Sequence, residues 1–139
     1  MFAVQTNPSI QFYWTPVNVE MLDENGKKKT FIFKAKFRRL SREELDDLSE
    51  RLEKSRKAAL KKAQAEAEGK ELEVDESDTL TDAKVIEETL IGWADVTDEN
   101  GQKLEFNPDN LALLLNVNPV RPTLAKTFFA TTYGAAGKN

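Results

Sequence analysis

Residues 30–38 read Thr-Phe-Ile-Phe-Lys-Ala-Lys-Phe-Arg, and this stretch decides the fold of the N-terminal region. Its residues alternate in character: Phe31, Phe33, Ala35 and Phe37 share one parity, and Lys34, Lys36 and Arg38 share the other. Because successive side chains of a strand point to opposite faces, this alternation predicts a β-strand with one buried face and one wet face.

The residues before this stretch predict its partner strand. Two alternating sets follow one another in residues 10–22: Phe12 and Trp14, then Val17, Val19 and Met21. Pro16 lies where the parity changes, which is typical of a bulge or of an edge strand. Asn25-Gly26, between the two runs, supplies the positive φ that a tight turn requires. Residues 1–40 are therefore predicted to form an antiparallel β-hairpin.

A long helix is predicted over residues 41–69. Ser41 and Glu44 have the spacing of a capping box, and Gly69 is a suitable stop. An apolar stripe marks the first half of the helix: Leu45, Leu48 and Leu52. Beyond Ser55 the sequence keeps a high helix propensity but has little to bury. We therefore expect this second half to project into solvent.

A second helix is predicted after an acidic connector, residues 70–78, with Asp78 or Thr79 as its cap. Its apolar residues are spaced by three and four positions: Ala83, Ile86, Leu90 and Trp93. The Asp-Glu-Asn-Gly at 98–101 then predicts a small ribbon or an ordered loop.

Two further helices are predicted in the C-terminal region. Asn107 caps the third helix, and Pro108 occupies its first position. The fourth helix runs from near Pro122 to Tyr133, where Gly134 ends it.

The fold class predicted from these elements is α+β. An N-terminal antiparallel β-hairpin is followed by about four helices, of which the first is long and partly projects into solvent. One domain is expected over residues 1–139, with a helical part over 79–134 and a flexible tail over 135–139. The predicted core consists of these residues: Phe31, Phe33, Phe37, Leu45, Leu48, Leu52, Ile86, Leu90, Trp93, Leu111, Leu114, Leu115, Leu124 and Phe128.

Composition argues against most catalytic chemistry. The chain contains no cysteine and no histidine, so thiol nucleophiles, thiolate metal sites and the commonest general base are missing. The turn at 98–101 fails as a calcium loop, because the motif would begin at Val96 and end at Asn107, which are not carboxylates. We predict a protein that is not an enzyme and that holds no metal or cofactor.

Charge and hydropathy limit the class of partner. Residues 1–69 carry 14 Lys and Arg against 11 Asp and Glu, whereas residues 70–139 carry 6 against 13, for a net charge of −4. This balance does not favour nucleic acid. The aromatic residues among the lysines of 27–39 would suit a single strand, but those of 30–38 have the parity opposite to Lys34 and Lys36, so we interpret them as core. Neither a membrane span nor a signal peptide is predicted, since no long apolar run occurs.

Several motifs occur in order along the chain, and together they resemble one family. In the C-terminal half they are Leu90-Ile91-Gly92-Trp93, Asp95-Val96, Asp98-Glu99-Asn100-Gly101, Phe106-Asn107-Pro108-Asp109-Asn110-Leu111, Leu114-Leu115, Val120-Arg121, Phe128-Phe129 and Gly137-Lys138-Asn139. The N-terminal part adds Phe-x-Phe-x-Ala-x-Phe and Leu-Ser-x-Glu-Glu-Leu. In order and spacing these motifs resemble the small tail assembly chaperones of long-tailed phages and prophages.

The resemblance implies a function and partners. Such chaperones bind the long, helical, aggregation-prone tape measure protein, keep it soluble, and help to recruit major tail (tube) protein subunits around it. Many members are also made as a longer product by programmed ribosomal frameshifting. They are late viral proteins of the host cytoplasm and are absent from the mature virion. The alternative is a structural virion component, such as a tail tube or tail completion subunit, and a homo-oligomer is left open.

The candidate partner-binding residues lie in the C-terminal half: Trp93, Phe106, Arg121, Phe128, Phe129 and Tyr133. Aromatic residues at helical spacing belong more often to a core than to an interface. A chain of this length, however, can leave part of an aromatic cluster exposed to a partner helix. We therefore predict a protein-binding surface in this region.

Overall fold

The computed structural model describes residues 1–4, 6–7, 11–72 and 79–137. Along these residues the elements are β1 (Phe12–Leu22), β2 (Lys28–Arg38), α1 (Arg42–Ala67), α2 (Asp82–Thr89), β3 (Leu90–Ala94), α3 (Pro108–Leu115) and α4 (Val120–Gly137). The strands form one antiparallel sheet in the order β1-β2-β3. The predicted α+β class, with an N-terminal hairpin followed by four helices, is confirmed, and β3 is an addition to it.

The hairpin turn is closed by the side chain of Asp23. Its Oδ1 accepts hydrogen bonds from the backbone N–H groups of Asn25 at 2.8 Å and Lys27 at 2.9 Å. Gly26 has a φ of 78°, in the left-handed region that a glycine adopts without strain. The predicted turn is therefore confirmed.

One face of the hairpin is buried, as the alternation predicts. Its buried residues are Val17, Val19, Phe33, Ala35 and Phe37. Phe31 has the same parity but is 41% exposed, so its assignment to the core is wrong. It lies near the turn, where the end of the sheet meets solvent.

Pro16 lies on the outer edge of the sheet, and β1 has no bulge. β1 pairs with β2 in continuous register. The N–H of Arg39 donates to the carbonyl of Gln11 at 2.9 Å, so the odd-numbered residues of β1 exchange hydrogen bonds with β2 and the even-numbered ones point to the open edge. The missing N–H of Pro16 therefore costs no ladder bond. Of the two interpretations of Pro16, the edge strand is confirmed.

α2 begins later than predicted. Its N-cap is Thr81, whose hydroxyl accepts the N–H of Lys84 at 3.2 Å. The cap predicted at Asp78 or Thr79 is therefore wrong. Most of the predicted acidic connector, residues 73–78, lies outside the described residues.

α2 also ends earlier than predicted, and the chain continues as a strand. Leu90 and Trp93 were assigned to this helix from their spacing, but they belong to β3, which pairs with β2. The β-branched Thr89 and Ile91 and the following Gly92 have low helix propensity. The second edge of β2 offers this segment backbone hydrogen bonds instead.

α1 begins with the predicted capping box. The N–H of Glu44 donates to the Ser41 hydroxyl, and the N–H of Ser41 donates to the Glu44 carboxylate, each at 3.1 Å. Leu48 is buried and Leu52 packs against the core, whereas Leu60 is 50% exposed. The second half of α1 therefore projects into solvent, as predicted.

α4 is longer than predicted at both ends. It begins at Val120, since Pro122 is tolerated in a first turn, and it continues through Gly134 to Gly137. The predicted stop at Gly134 is wrong, because the helix continues through Ala135 and Ala136, residues of the highest helix propensity, to Gly137. The last residues of the predicted tail, 138–139, lie outside the described part of the chain.

α4 covers the inner face of the sheet. The ring centroids of Phe37 and Phe128 lie 5.3 Å apart, and both side chains are fully buried. The Tyr13 hydroxyl lies 2.7 Å from the Thr131 hydroxyl, which joins β1 to α4.

In the part of the chain that the structure describes, no helix is both long enough and apolar enough to cross a membrane.

Candidate partner-binding groove

Trp93 fixes the segment that follows β3. Its indole N–H donates to the carbonyl of Leu104 at 2.8 Å. Between these residues Thr97 pairs with Lys103, and the Asp98 carboxylate accepts two backbone N–H groups of the turn. The ribbon predicted from Asp-Glu-Asn-Gly is thus confirmed, and it returns the chain to β3.

Phe106 follows the ribbon and packs on Trp93. The two ring centroids lie 5.0 Å apart at an interplanar angle of 83°, and Phe106 remains 37% exposed. Asn107 then caps α3, because its side-chain carbonyl accepts the N–H of Asn110 at 2.8 Å, and Pro108 is the first helical residue, as predicted.

α3 has two polar residues in its first turn, Asp109 and Asn110, followed by five consecutive apolar residues, 111–115, yet none of its residues is buried. Leu111, Leu114 and Leu115 pack partly against the core. Leu113 is 61% exposed, and Val117, just after the helix, is 41% exposed. Large apolar side chains that are exposed together are candidates for contact with another protein. This side of α3 is open to solvent.

A groove of about 590 Å³ lies beside α3. Its lining comprises Ala83, Glu87, Leu90, Phe106, Asn107, Pro108, Leu111, Ala112, Leu115, Asn116 and Arg121. The walls are mostly apolar, and Glu87 and Arg121 supply one charge of each sign. Concave apolar surfaces with a few polar groups are suited to bind the apolar stripe of a helix.

The family model described as phage tail assembly chaperone matches residues 2–131. The chain belongs to this family. Searches of the curated proteins and of the solved structures found no match. The match includes the sheet and every residue of the groove, and it confirms the family named from the sequence motifs. Membership suggests a non-catalytic role and implies protein partners in tail assembly.

Two of the candidate residues, Phe106 and Arg121, line the groove of this chaperone. A third, the partly buried Trp93, contacts Phe106 edge-on without lining the groove. Whether they contact a partner stays a prediction. Phe128, by contrast, has no exposed surface, because it packs between the sheet and the neighbouring ring of Phe129. In this conformation it is a core residue and is unavailable to a partner.

Phe129 and Tyr133 lie away from the groove. Their rings stack at a centroid distance of 6.2 Å beside a separate hollow of about 650 Å³ between α2 and α4. The Tyr133 hydroxyl also lies 3.2 Å from the hydroxyl of Ser49 on α1. The candidate residues are therefore divided between two surfaces.

Sequence reasoning missed the most exposed apolar residue of α3, Leu113. Leu111 and Leu115, which were assigned to the core, pack partly against it and also line the groove. A signal was present in the sequence: five consecutive apolar residues, 111–115, are more than a single buried face of an eight-residue helix can accommodate.

The side chains whose pKa values are shifted lie on α1 and not in the groove. The guanidinium of Arg38 donates to the Glu44 carboxylate at 2.8 Å, which lowers the pKa of Glu44 below its ordinary value. Arg51 donates two hydrogen bonds to Glu88, at 3.0 and 2.9 Å, which raises the pKa of Arg51. These pairs join α1 to β2 and α2. Among the described residues, no group of three or more acidic side chains could hold a metal ion.

Proposed function

We propose that this chaperone binds the tape measure protein in the host cytoplasm and keeps it soluble. It also helps to recruit major tail (tube) protein subunits, and it leaves the particle before the virion matures. The observation that carries the proposal is the exposure of Leu113 and Val117, together with an apolar groove lined by other residues of α3, in a chain of the tail assembly chaperone family.

The groove suits a helical client. A long helical protein presents apolar stripes that aggregate when no partner covers them. A stripe with residues spaced by three and four positions would place its side chains between Phe106 and the leucines of α3. Glu87 and Arg121 would pair with charged residues that flank such a stripe.

Burial energies predict weak and reversible binding at one groove. Each Leu-sized side chain of the client contributes roughly 1.5–3 kcal/mol when it is buried. Lost translational and rotational freedom offsets at least about 4 kcal/mol of this gain. Three such side chains therefore leave at most about 5 kcal/mol, which corresponds to a dissociation constant no tighter than about a few tenths of a millimolar. Many copies of the chaperone bound along a long client would cover its apolar stripes, and each copy could still dissociate during assembly.

Co-expression with the tape measure protein of the same phage tests the proposal. The tape measure protein should be insoluble when expressed alone. It should become soluble and co-purify with the tagged chaperone. A tape measure protein that stays insoluble, with the chaperone recovered alone, would contradict the proposal.

Mass spectrometry of purified virions separates the chaperone from a structural component. The peptides of this chain should be absent from mature particles and present in the infected-cell lysate. Their recovery from tails at the level of the tube protein would instead identify a tail tube or tail completion subunit.

Recruitment of tube subunits needs its own test. The tube protein should be captured by the complex of chaperone and tape measure protein, either directly or through a frameshifted longer form. The nucleotide sequence would show a heptameric slip site and an overlapping downstream frame if that longer form is made. If the tube protein is not captured by either form, this chaperone does not recruit it.

A further inference from the structure

The outer face of the sheet is open. α4 covers the inner face through Phe128, whereas on the outer face Trp14 is 47% exposed and Ile32 is 61% exposed. This face carries the even-numbered residues of β1 and β2, among them Lys34 and Lys36. It therefore combines aromatic and basic side chains.

Gly92 leaves room for Lys36 to lie along this face. Lys36 is paired with Trp14 on one side and with Gly92 on the other. A Cβ added at Gly92 would lie 3.3 Å from Cδ of Lys36. The Lys36 Nζ lies 4.1 Å from the ring centroid of Phe12 and 5.8 Å from that of Trp14. The position of this ammonium group is thus set by packing.

A hollow of about 490 Å³ lies next to these residues. It is lined by Trp14, Thr15, Pro16, Lys34 and Ala94, which provide apolar walls and one ammonium group. The hollow has no lining residue in common with the groove beside α3. A ligand in one of them leaves the other accessible.

The charge of this face is positive although the chain is acidic overall. Lys28, Lys34 and Lys36 lie on it, with Glu20 as the one acidic residue of the same parity in β1 and β2. In the described part of the chain, none of these three lysines forms an ion pair. Cations without a carboxylate partner among the described residues favour an anionic ligand.

We infer that the basic sheet face, formed by Trp14, Lys28, Lys34 and Lys36, binds an acidic peptide segment of a second partner protein. Carboxylates of the peptide pair with Lys34 and Lys36, and an apolar side chain enters the hollow beside Trp14. This binding is separate from that of the tape measure protein and does not depend on it. It gives the chaperone a second surface on the other side of its sheet.

The aromatic residues favour a peptide over single-stranded nucleic acid. Stacking of successive bases requires several accessible rings. The Lys36 ammonium already lies over the ring of Phe12, which leaves Trp14 as the accessible ring among the described residues of this face. The net charge of −4 also opposes the approach of a long polyanion.

Fluorescence anisotropy with a labelled synthetic peptide tests the inference. The probe is a short run of Glu and Asp with one central Leu, and a thymidine oligonucleotide of the same length is the comparison. The variant Lys34→Glu/Lys36→Glu is compared with Lys61→Glu/Lys62→Glu, which makes the same change in charge on exposed α1. Circular dichroism checks the fold of each, and Lys34→Gln/Lys36→Gln replaces the first variant if it unfolds.

The inference predicts that the sheet variant weakens peptide binding by about tenfold or more. The α1 variant should change it by less than about threefold, and added salt should weaken binding to the wild type. Equal losses in both variants, or no binding of the peptide to the wild type, would overturn the inference. Tighter binding of the oligonucleotide would identify a nucleic-acid surface instead. Because the probe contains no tape measure sequence, these results are independent of the proposed function.

Discussion

The ring of Phe106 stands edge-on against the indole of Trp93, with the centroids 5.0 Å apart. Trp93 belongs to β3 and also donates a hydrogen bond to the Leu104 carbonyl, whereas Phe106 lines the groove beside α3. The pair therefore connects the sheet to the surface that we propose for the tape measure protein. Edge-to-face pairs of this kind contribute about 0.5–1.5 kcal/mol beyond the area that they bury.

Trp93→Ala should lower the free energy of unfolding by about 2–4 kcal/mol, near the lower part of the range for large aromatic deletions, because the indole is only half-buried. Urea denaturation measures the change. Trp93→Phe keeps most of the packing but loses the bond to Leu104, so it should cost less. A Trp93→Ala variant with unchanged stability and lost client binding would make Trp93 an interface residue alone.

Phe106→Ala should weaken client binding more than it weakens the fold. Its ring is partly exposed, so we expect a stability loss of no more than about 2 kcal/mol. Phe31→Ala is a matched control, since Phe31 is similarly exposed but lies near the hairpin turn. Co-purification of the tape measure protein should fall for Phe106→Ala and not for Phe31→Ala. Equal behaviour of the two variants would remove Phe106 from the binding surface.

Phe128→Ala should destabilise the fold by about 3–5 kcal/mol, because the side chain is fully buried against Phe37. Thermal unfolding followed by circular dichroism is the measurement. Phe129→Ala should cost less, since Phe129 is only partly buried. If Phe128→Ala leaves the melting temperature unchanged, the packing of α4 on the sheet described above is incorrect.

The Arg38–Glu44 pair should cause a small loss of stability at acidic pH. The folded pKa of Glu44 lies below its ordinary value of 4.5, so the stabilisation is complete above that pH and is lost as the pH falls through the folded pKa. The side chains are 38% and 44% exposed, which limits the effect to less than about 1 kcal/mol. Between about pH 6 and pH 3, the free energy of unfolding should therefore fall less in Glu44→Gln than in the wild type, as measured by denaturation. If the free energy of unfolding falls by the same amount in the variant and the wild type, the Arg38–Glu44 pair does not cause the pH dependence.

Local signals predicted much of the fold. The alternation of residues 30–38, the Asn25-Gly26 turn and the Ser41 capping box each depend on a few neighbouring residues, and the structure has them as predicted. β3 could not be predicted in this way. Its spacing also fits a helix, and the open edge of β2, which decides between strand and helix, is a property of the folded chain.

The candidate site was predicted only in part, for the same reason. Aromatic residues identified Trp93 and Phe106, but periodicity did not distinguish the buried Phe128 from an interface residue. Exposure depends on which elements pack together, as Leu113 also shows. The sequence contained the apolar run of α3, yet only the packing against α4 shows which of its sides is open.

The most direct test of the proposed function uses a matched pair of exposed leucines. Leu113 is 61% exposed on α3, and Leu60 is 50% exposed on the projecting half of α1. The tape measure protein is co-expressed with the wild-type chaperone, with Leu113→Asp or with Leu60→Asp, and its soluble fraction is measured. We predict that the wild type and Leu60→Asp keep it soluble and that Leu113→Asp does not. Equal solubility with all three chaperones would contradict the proposal that the exposed side of α3 binds the tape measure protein.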